Sequence, residues 1–241
     1  MKKLKTWTTK NGINIKKVLE GRSNVFLISA NDKRILVDTG PGRVWRTLNR
    51  RLVNLGIINI DYLVLTHAHF DHAGNAERIK RVYGAKVIIN EYEASFLRKG
   101  TNSPTRGSNT VTGFILRLFC PVFSSVKFYR ALEPDIITSK SFDFEIIKES
   151  VIIIHTPGHT PGSQSVIVDN EIAVVGDAMF GVFPGSVFPP FAFDAKELVG
   201  SWGKLLATKC SLYLPSHGSE DSIELVERDY NSRMHVTAND Q

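Results

Sequence analysis

Apolar residues recur along this chain with a period of two in some stretches and of three to four in others, and the changes of period mark out its elements. Thr6–Thr9 and Ile13–Leu19 flank Asn11-Gly12, a dipeptide suited to a tight hairpin turn. Val25–Ile28 and Arg34–Val37 follow, joined around Asn31-Asp32, so the N-terminal part reads as antiparallel strands. From Val44 to Leu55 the period lengthens. Trp45, Leu48, Leu52 and Leu55 fall on one helical stripe, and Gly56 ends it. A strand over 62–66, a helix near Ala76–Tyr83 and a strand Lys86–Ile89 come next.

The second half repeats this mixture. Strands are predicted at 151–154, 165–168 and 172–175, then a helix from Ala195 to about Ala207, a strand at 212–214 and a last helix over roughly Ser222–Arg233. Asp194 and Glu197 form the start signal of the first of these helices. Between Ser95 and Glu133 the pattern breaks. Lys99–Ser108 is polar and turn-rich, whereas Phe114–Phe119 is apolar, which predicts a linker followed by a helical cap inserted at 96–133. Phe180–Phe193 holds five phenylalanines among Pro and Gly. So apolar a loop either buries beneath the cap or lines the apolar side of a pocket.

Composition bounds the picture further. At 241 residues and 42% hydrophobic, the chain can bury one sizeable core, and residues 1–241 are expected to form one domain carrying the cap. The net charge of +6 suits anionic small molecules, but the basic residues are spread out, so neither a nucleic-acid track nor a membrane surface is expected. Cys120 and Cys210 are too few for a disulfide framework and read as buried thiols of a reducing compartment. No apolar stretch follows Met1-Lys2-Lys3-Leu4-Lys5, and Phe114–Val126 is too short to span a bilayer. The expected location is the cytoplasm, and exposed apolar cap residues would also allow a homodimer.

The chemistry concentrates in Thr66-His67-Ala68-His69-Phe70-Asp71-His72, which follows the apolar run Tyr62–Leu65. Three of the chain's 7 histidines and an aspartate stand in six positions, and imidazole and carboxylate are metal ligands by type. His67 and His69, two apart, face one side of extended chain. A turn into helix would swing Asp71 and His72 onto a neighbouring position, an arrangement able to serve two metals. Further donors stand at strand ends: His159 in Thr156-Pro157-Gly158-His159-Thr160, Asp177 after Gly176, and His217 in Ser216-His217-Gly218. His155 reads as a structural neighbour of the site and His235 as a solvated tail residue.

Taken in order, His-x-His-x-Asp-His, Gly-His-Thr, Gly-Asp and Ser-His-Gly resemble the metallo-β-lactamase-fold hydrolases, from about Asp38 to His217. The resemblance implies an α/β fold, an αββα sandwich with metals at the sheet edge. It implies two divalent ions, zinc above all, with iron or manganese as alternatives. His67, His69 and His159 would hold the first metal, and Asp71, His72 and His217 the second, with Asp177 bridging them. Asp38 would orient a ligand imidazole, although an Asp before Gly and Pro also starts turns. The Asp177 bridge points away from true β-lactamases towards glyoxalase II-like and lactonase-like members.

Such a site acidifies bound water to a pKa near 7 and stabilises developing oxyanion charge. Asp71 is the residue expected to orient the hydroxide and relay its proton. The expected activity is hydrolysis of a small ester, lactone or thioester with an apolar portion. The alternatives are a phosphodiesterase, a mononuclear iron dioxygenase using His67, His159 and Asp177, and a non-enzymatic regulator that keeps the fold.

Overall fold

Two sheets stack face to face, and helices cover both outer sides. The computed structural model describes residues 4–107, 126–144 and 150–239, with side chains through residue 234. The first sheet has seven strands in sequential order: β1 (Thr6–Thr8), β2 (Asn14–Leu19), β3 (Val25–Ala30), β4 (Lys33–Val37), β5 (Tyr62–Val64), β6 (Lys86–Asn90) and β7 (Ile136–Thr138). The β1–β4 pairs are antiparallel and the β4–β7 pairs parallel. The second sheet runs β13-β12-β11-β10-β9-β8, from β8 (Ser141–Asp143), β9 (Val151–His155), β10 (Gln164–Val168), β11 (Ile172–Gly176), β12 (Leu212–Pro215) and β13 (Asp221–Ser222). Only its β11–β12 pair is parallel.

Period-two alternation sorts the side chains into layers. Phe26, Ile28, Ile35, Val37 and Val64 of the first sheet meet Val151, Ile153, Val166, Val168 and Val174 of the second in a shared central core. Their neighbours Leu27, Leu36, Leu63 and Val87 point outward, onto Leu48 and Leu52 of helix α1 (Trp45–Asn54) and Ile79 of helix α3 (Ala76–Tyr83). On the opposite side Ile167, Ala173, Val175 and Tyr213 pack against α5 (Ala195–Ala207), through Leu198, Trp202 and Leu205, and against Val226 of α6 (Ile223–Asn239). Each fully buried aliphatic or aromatic side chain contributes about 1.5–3 kcal/mol. The αββα sandwich expected from the motifs is thus the observed architecture.

Several elements differ from the sequence reading. The strand expected over 62–66 stops at Val64; Leu65 N still donates to Ile88 O at 3.0 Å, and the chain bends from Thr66. Helix α4 (Glu91–Lys99) occupies the start of the stretch read as linker and cap. Asn90 caps it by accepting from Tyr92 N, and Glu93, Ala94 and Leu97 are buried. The residues read as a helical cap, 114–119, lie outside the described residues, as does Cys120; Cys210 is a buried free thiol. The helix read as Val44–Leu55 begins with a 3-10 turn at Gly42–Val44. Among the described residues no helix is long and apolar enough to cross a membrane.

Candidate metal centre

The loops that leave β5, β9, β11 and β12 bring their residues together at the ends of these strands. After β5 the chain bends through Thr66–Ala68, is extended at His69, and then turns into the short helix α2 (Phe70–Ala73), which carries Asp71 and His72. His159 rides the turn after β9. There Gly158 has φ +129, and a Cβ on it would strike the α5 backbone at Leu198, a position only glycine can fill. Asp177 follows β11 and His217 follows β12.

These seven residues, singled out from the sequence, come together. His67 Nε2 is 2.9 Å from His69 Nδ1, which is 3.3 Å from His159 Nε2. Asp177 lies between the two clusters, with Oδ2 3.5 Å from His159 Nε2 and 3.3 Å from His217 Nε2, and Oδ1 3.4 Å from His72 Nε2. Asp71 Oδ2 is 3.7 Å from His217 Nε2. Three overlapping groups could hold an ion: His67, His69 and His159; His67, His72 and Asp177; Asp71, His72 and His217.

The outer partners of the rings fix their tautomers. His69 Nε2 donates to the Ser103 carbonyl at 3.0 Å, and His159 Nδ1 donates to that of Phe191 at 2.9 Å. His72 Nδ1 donates to Asp38 Oδ2 at 2.8 Å. The Thr66 hydroxyl donates to Asp38 and so accepts from His67 Nδ1 at 3.1 Å. For His67, His69 and His159 the inward nitrogen is left with a lone pair. Three lone pairs at 2.9 and 3.3 Å repel one another unless a cation or proton sits among them. His72 Nε2 and Asp177 Oδ1 are buried without a hydrogen-bond partner, which is costly for polar atoms. A divalent cation fits this donor set.

Electrostatics divides the site in two. Burial first, then the neighbouring imidazoles, holds His67 well below the ordinary imidazole range; His69 is also lowered, and His159 falls to about 4. These rings stay neutral, as ligands must. His72 and His217 are raised. Burial is the largest single influence and opposes this, but the nearby carboxylates, Asp177 foremost, outweigh it. Asp177 itself is held well below the carboxylate range, because His217 and His72 together overcome its burial. One half of the site offers lone pairs, and the other half favours positive charge.

Asp38 holds the centre from behind. It accepts from Thr66 N at 2.8 Å, from Ser216 Oγ at 3.1 Å and from the His72 ring, with its own backbone at φ +60. It is thus an orienting residue, and the turn it starts is the conformation that lets it be one. Sequence reasoning missed Thr66 and Ser216, whose positions beside His67 and His217 were the available signal. It also missed the carbonyls of Ser103 and Phe191, for which side-chain identity gives no signal. His155 is structural, as expected: Nε2 donates to the Pro161 carbonyl at 2.8 Å and the ring stacks on Tyr92. His235 lies outside the residues whose side chains are described. The Phe-rich loop is divided. Phe180 is buried and stacks on His217 at 4.5 Å, Phe188 packs on Trp202, and Phe183 is exposed.

A four-layer αββα sandwich with imidazoles and carboxylates gathered at the strand ends defines a class of metal-dependent hydrolases. The family model described as Metallo-beta-lactamase superfamily matches residues 18–217, and the chain belongs to that superfamily as a metallo-hydrolase. It is 31% identical over 160 residues to a probable metallo-hydrolase of Methanocaldococcus jannaschii, covering 66% of this chain and 68% of that one. It is 26% identical over 203 residues to an acyl-coenzyme A thioesterase of Homo sapiens, covering 77% and 67%. A metallo-β-lactamase from Cronobacter sakazakii, with substitutions in its HARLDQ motif, superposes with a TM-score of 0.68 at 20% identity over 97% of this chain and 96% of that one, a likeness of fold.

Proposed function

We propose that this chain is a dinuclear zinc hydrolase of small acyl compounds, a thioester first, with an ester or lactone as close alternatives, and that it acts in the cytoplasm as one domain with a cap at 96–133. His67, His69 and His159 hold the first ion, Asp71, His72 and His217 the second, and Asp177 reaches both. The carrying observation is the outward hydrogen bonding of His67, His69 and His159, whose inward nitrogens lie 2.9 and 3.3 Å apart. Two ions held there would supply an acidified water and polarise a substrate carbonyl. The chain's own groups do the rest. Asp71, at the start of α2, orients the attacking water and passes its proton to the departing group. Burial of the imidazoles keeps bulk water from competing. Phe183, exposed in the loop that begins beside His217, offers an apolar surface for the acyl portion. The human thioesterase among the relatives supports the choice of a thioester.

The test is elemental analysis together with a substrate panel of acyl thioesters of increasing chain length, lactones, and bis-nitrophenyl phosphate. Two divalent ions per chain and thioester turnover abolished by chelation are expected. Asp71→Asn should lower kcat by about 10²–10⁴. A single iron with oxygen consumption, or phosphodiester turnover exceeding that of every acyl substrate, overturns the reading.

A further inference from the structure

Glu93 has no place in the ligand set, yet it is fully buried on α4 beside it. Its Oε2 accepts Ala68 N at 2.8 Å, and its Oε1 accepts Gly162 N at 3.1 Å. Ala68 stands between His67 and His69. Gly162 closes the turn that carries His159, where Gly158 N donates to Thr160 O and Ser163 N to the same carbonyl. One carboxylate therefore ties together the two segments that supply all three rings of the first group. The packing is shaped for it. A Cβ on Gly162 would lie 2.5 Å from Glu93 Cγ and 2.9 Å from its Oε1, so a larger residue there would push the carboxylate away.

Ala68 is also held at its other end. Tyr129 shares its one hydroxyl proton between Thr101 O at 2.7 Å and Ala68 O at 3.1 Å, and Ser103 N donates to Ala68 O at 3.4 Å. The N–H of the His67–Ala68 peptide and the C=O of the Ala68–His69 peptide are thus both bonded, so both peptides flanking Ala68 are held. Among the described residues Glu93 forms no ion pair. A buried carboxylate with only two neutral donors is expensive to keep, unless positive charge lies close by. The first metal position is where that charge would be.

We propose that Glu93 is the positioning residue of the first metal position, setting the separation of His67 and His69 from His159 and adding negative charge behind them. This rests on the metal-binding reading above. In Glu93→Gln one of the two amides would face an NH₂ group instead of an oxygen. In Glu93→Asp the charge stays, but the reach no longer spans both loops.

Both variants are loaded with zinc and with cobalt, alongside the wild type and Val226→Ala, a remote core change that supplies a matched loss of stability. We expect Glu93→Gln and Glu93→Asp to bind the first ion about 10–100-fold more weakly, so that occupancy falls from two towards one, with an altered cobalt absorption band. Val226→Ala should keep both ions and the wild-type spectrum. Glu93 variants that hold two ions with unchanged affinity and spectrum overturn the proposal. So does a Val226→Ala protein that loses the first ion equally. A wild type that binds no metal overturns the proposed function itself and the clamp with it, and the wild-type titration tells that failure apart.

Discussion

At the scale of single residues, the side chains facing the centre matter less to its shape than those one step behind. Asp38→Asn keeps volume and tolerates the positive φ, but it turns an oxygen into an NH₂ group facing donors from Thr66, His72 or Ser216. We expect zinc at the Asp71–His72–His217 position to bind about 10–100-fold more weakly, measured by competition with a chromogenic chelator. Asp221 makes a different prediction. Burial, then the charge of Glu220, raises its pKa to about 6, and its Oδ2 has no hydrogen-bond partner. Because the folded value lies above the unfolded one, ionisation costs stability progressively from about pH 4 to about pH 6, and the full cost persists above that. Asp221→Asn should therefore raise Tm at pH 7.5 relative to the wild type, and this gain should vanish at pH 4 in parallel thermal melts. The seven inward residues were legible because donor chemistry is written in residue type and in the spacing His67-x-His69-x-Asp71-His72. The Ser103 and Phe191 carbonyls were not, since any residue could supply them.

At the scale of elements, period and punctuation carried most of the reading. α3 and α5 coincide with the expected spans, and Asp194 accepts from Glu197 N at 2.9 Å as its start signal implied. Asp194→Ala should remove about 0.5–2 kcal/mol and lower Tm by roughly 2–4 °C per kcal/mol, which calorimetry would show; an unchanged Tm would mean that the exposed cap contributes nothing. The elements that escaped are short or carry little periodic signal. β7 and β8 have three residues each and β13 two, too few to display alternation. α4 buries a glutamate among its inward positions, so its apolar stripe is broken by the very residue that reaches the site. The wide apolar runs at 151–154 and 172–175 were legible as strands because both their faces are covered, one by the first sheet and one by α5 and α6.

At the scale of the whole molecule, the gathered donors tie the two sheets together. His67, His69, Asp71 and His72 follow a strand of the first sheet, and His159, Asp177 and His217 follow strands of the second. Ions bound there should stabilise the folded chain by mass action, about 2.7 kcal/mol at a hundredfold excess over Kd. Thermal melts with and without zinc should then differ by several degrees, and a Tm indifferent to zinc and to chelator would contradict ion binding in the native state.

The order of the donors along the chain also bears on its synthesis. A ribosome releases His67 to His72 first, His159 after β9 and His217 only after α5, the helix that serves as the crossover between the parallel strands β11 and β12. On the proposed ligand assignment, a growing polypeptide owns every imidazole of one position some sixty residues before it owns those of the other. Metal uptake during translation would then be stepwise, and the enzyme would stay inert until β12 had docked.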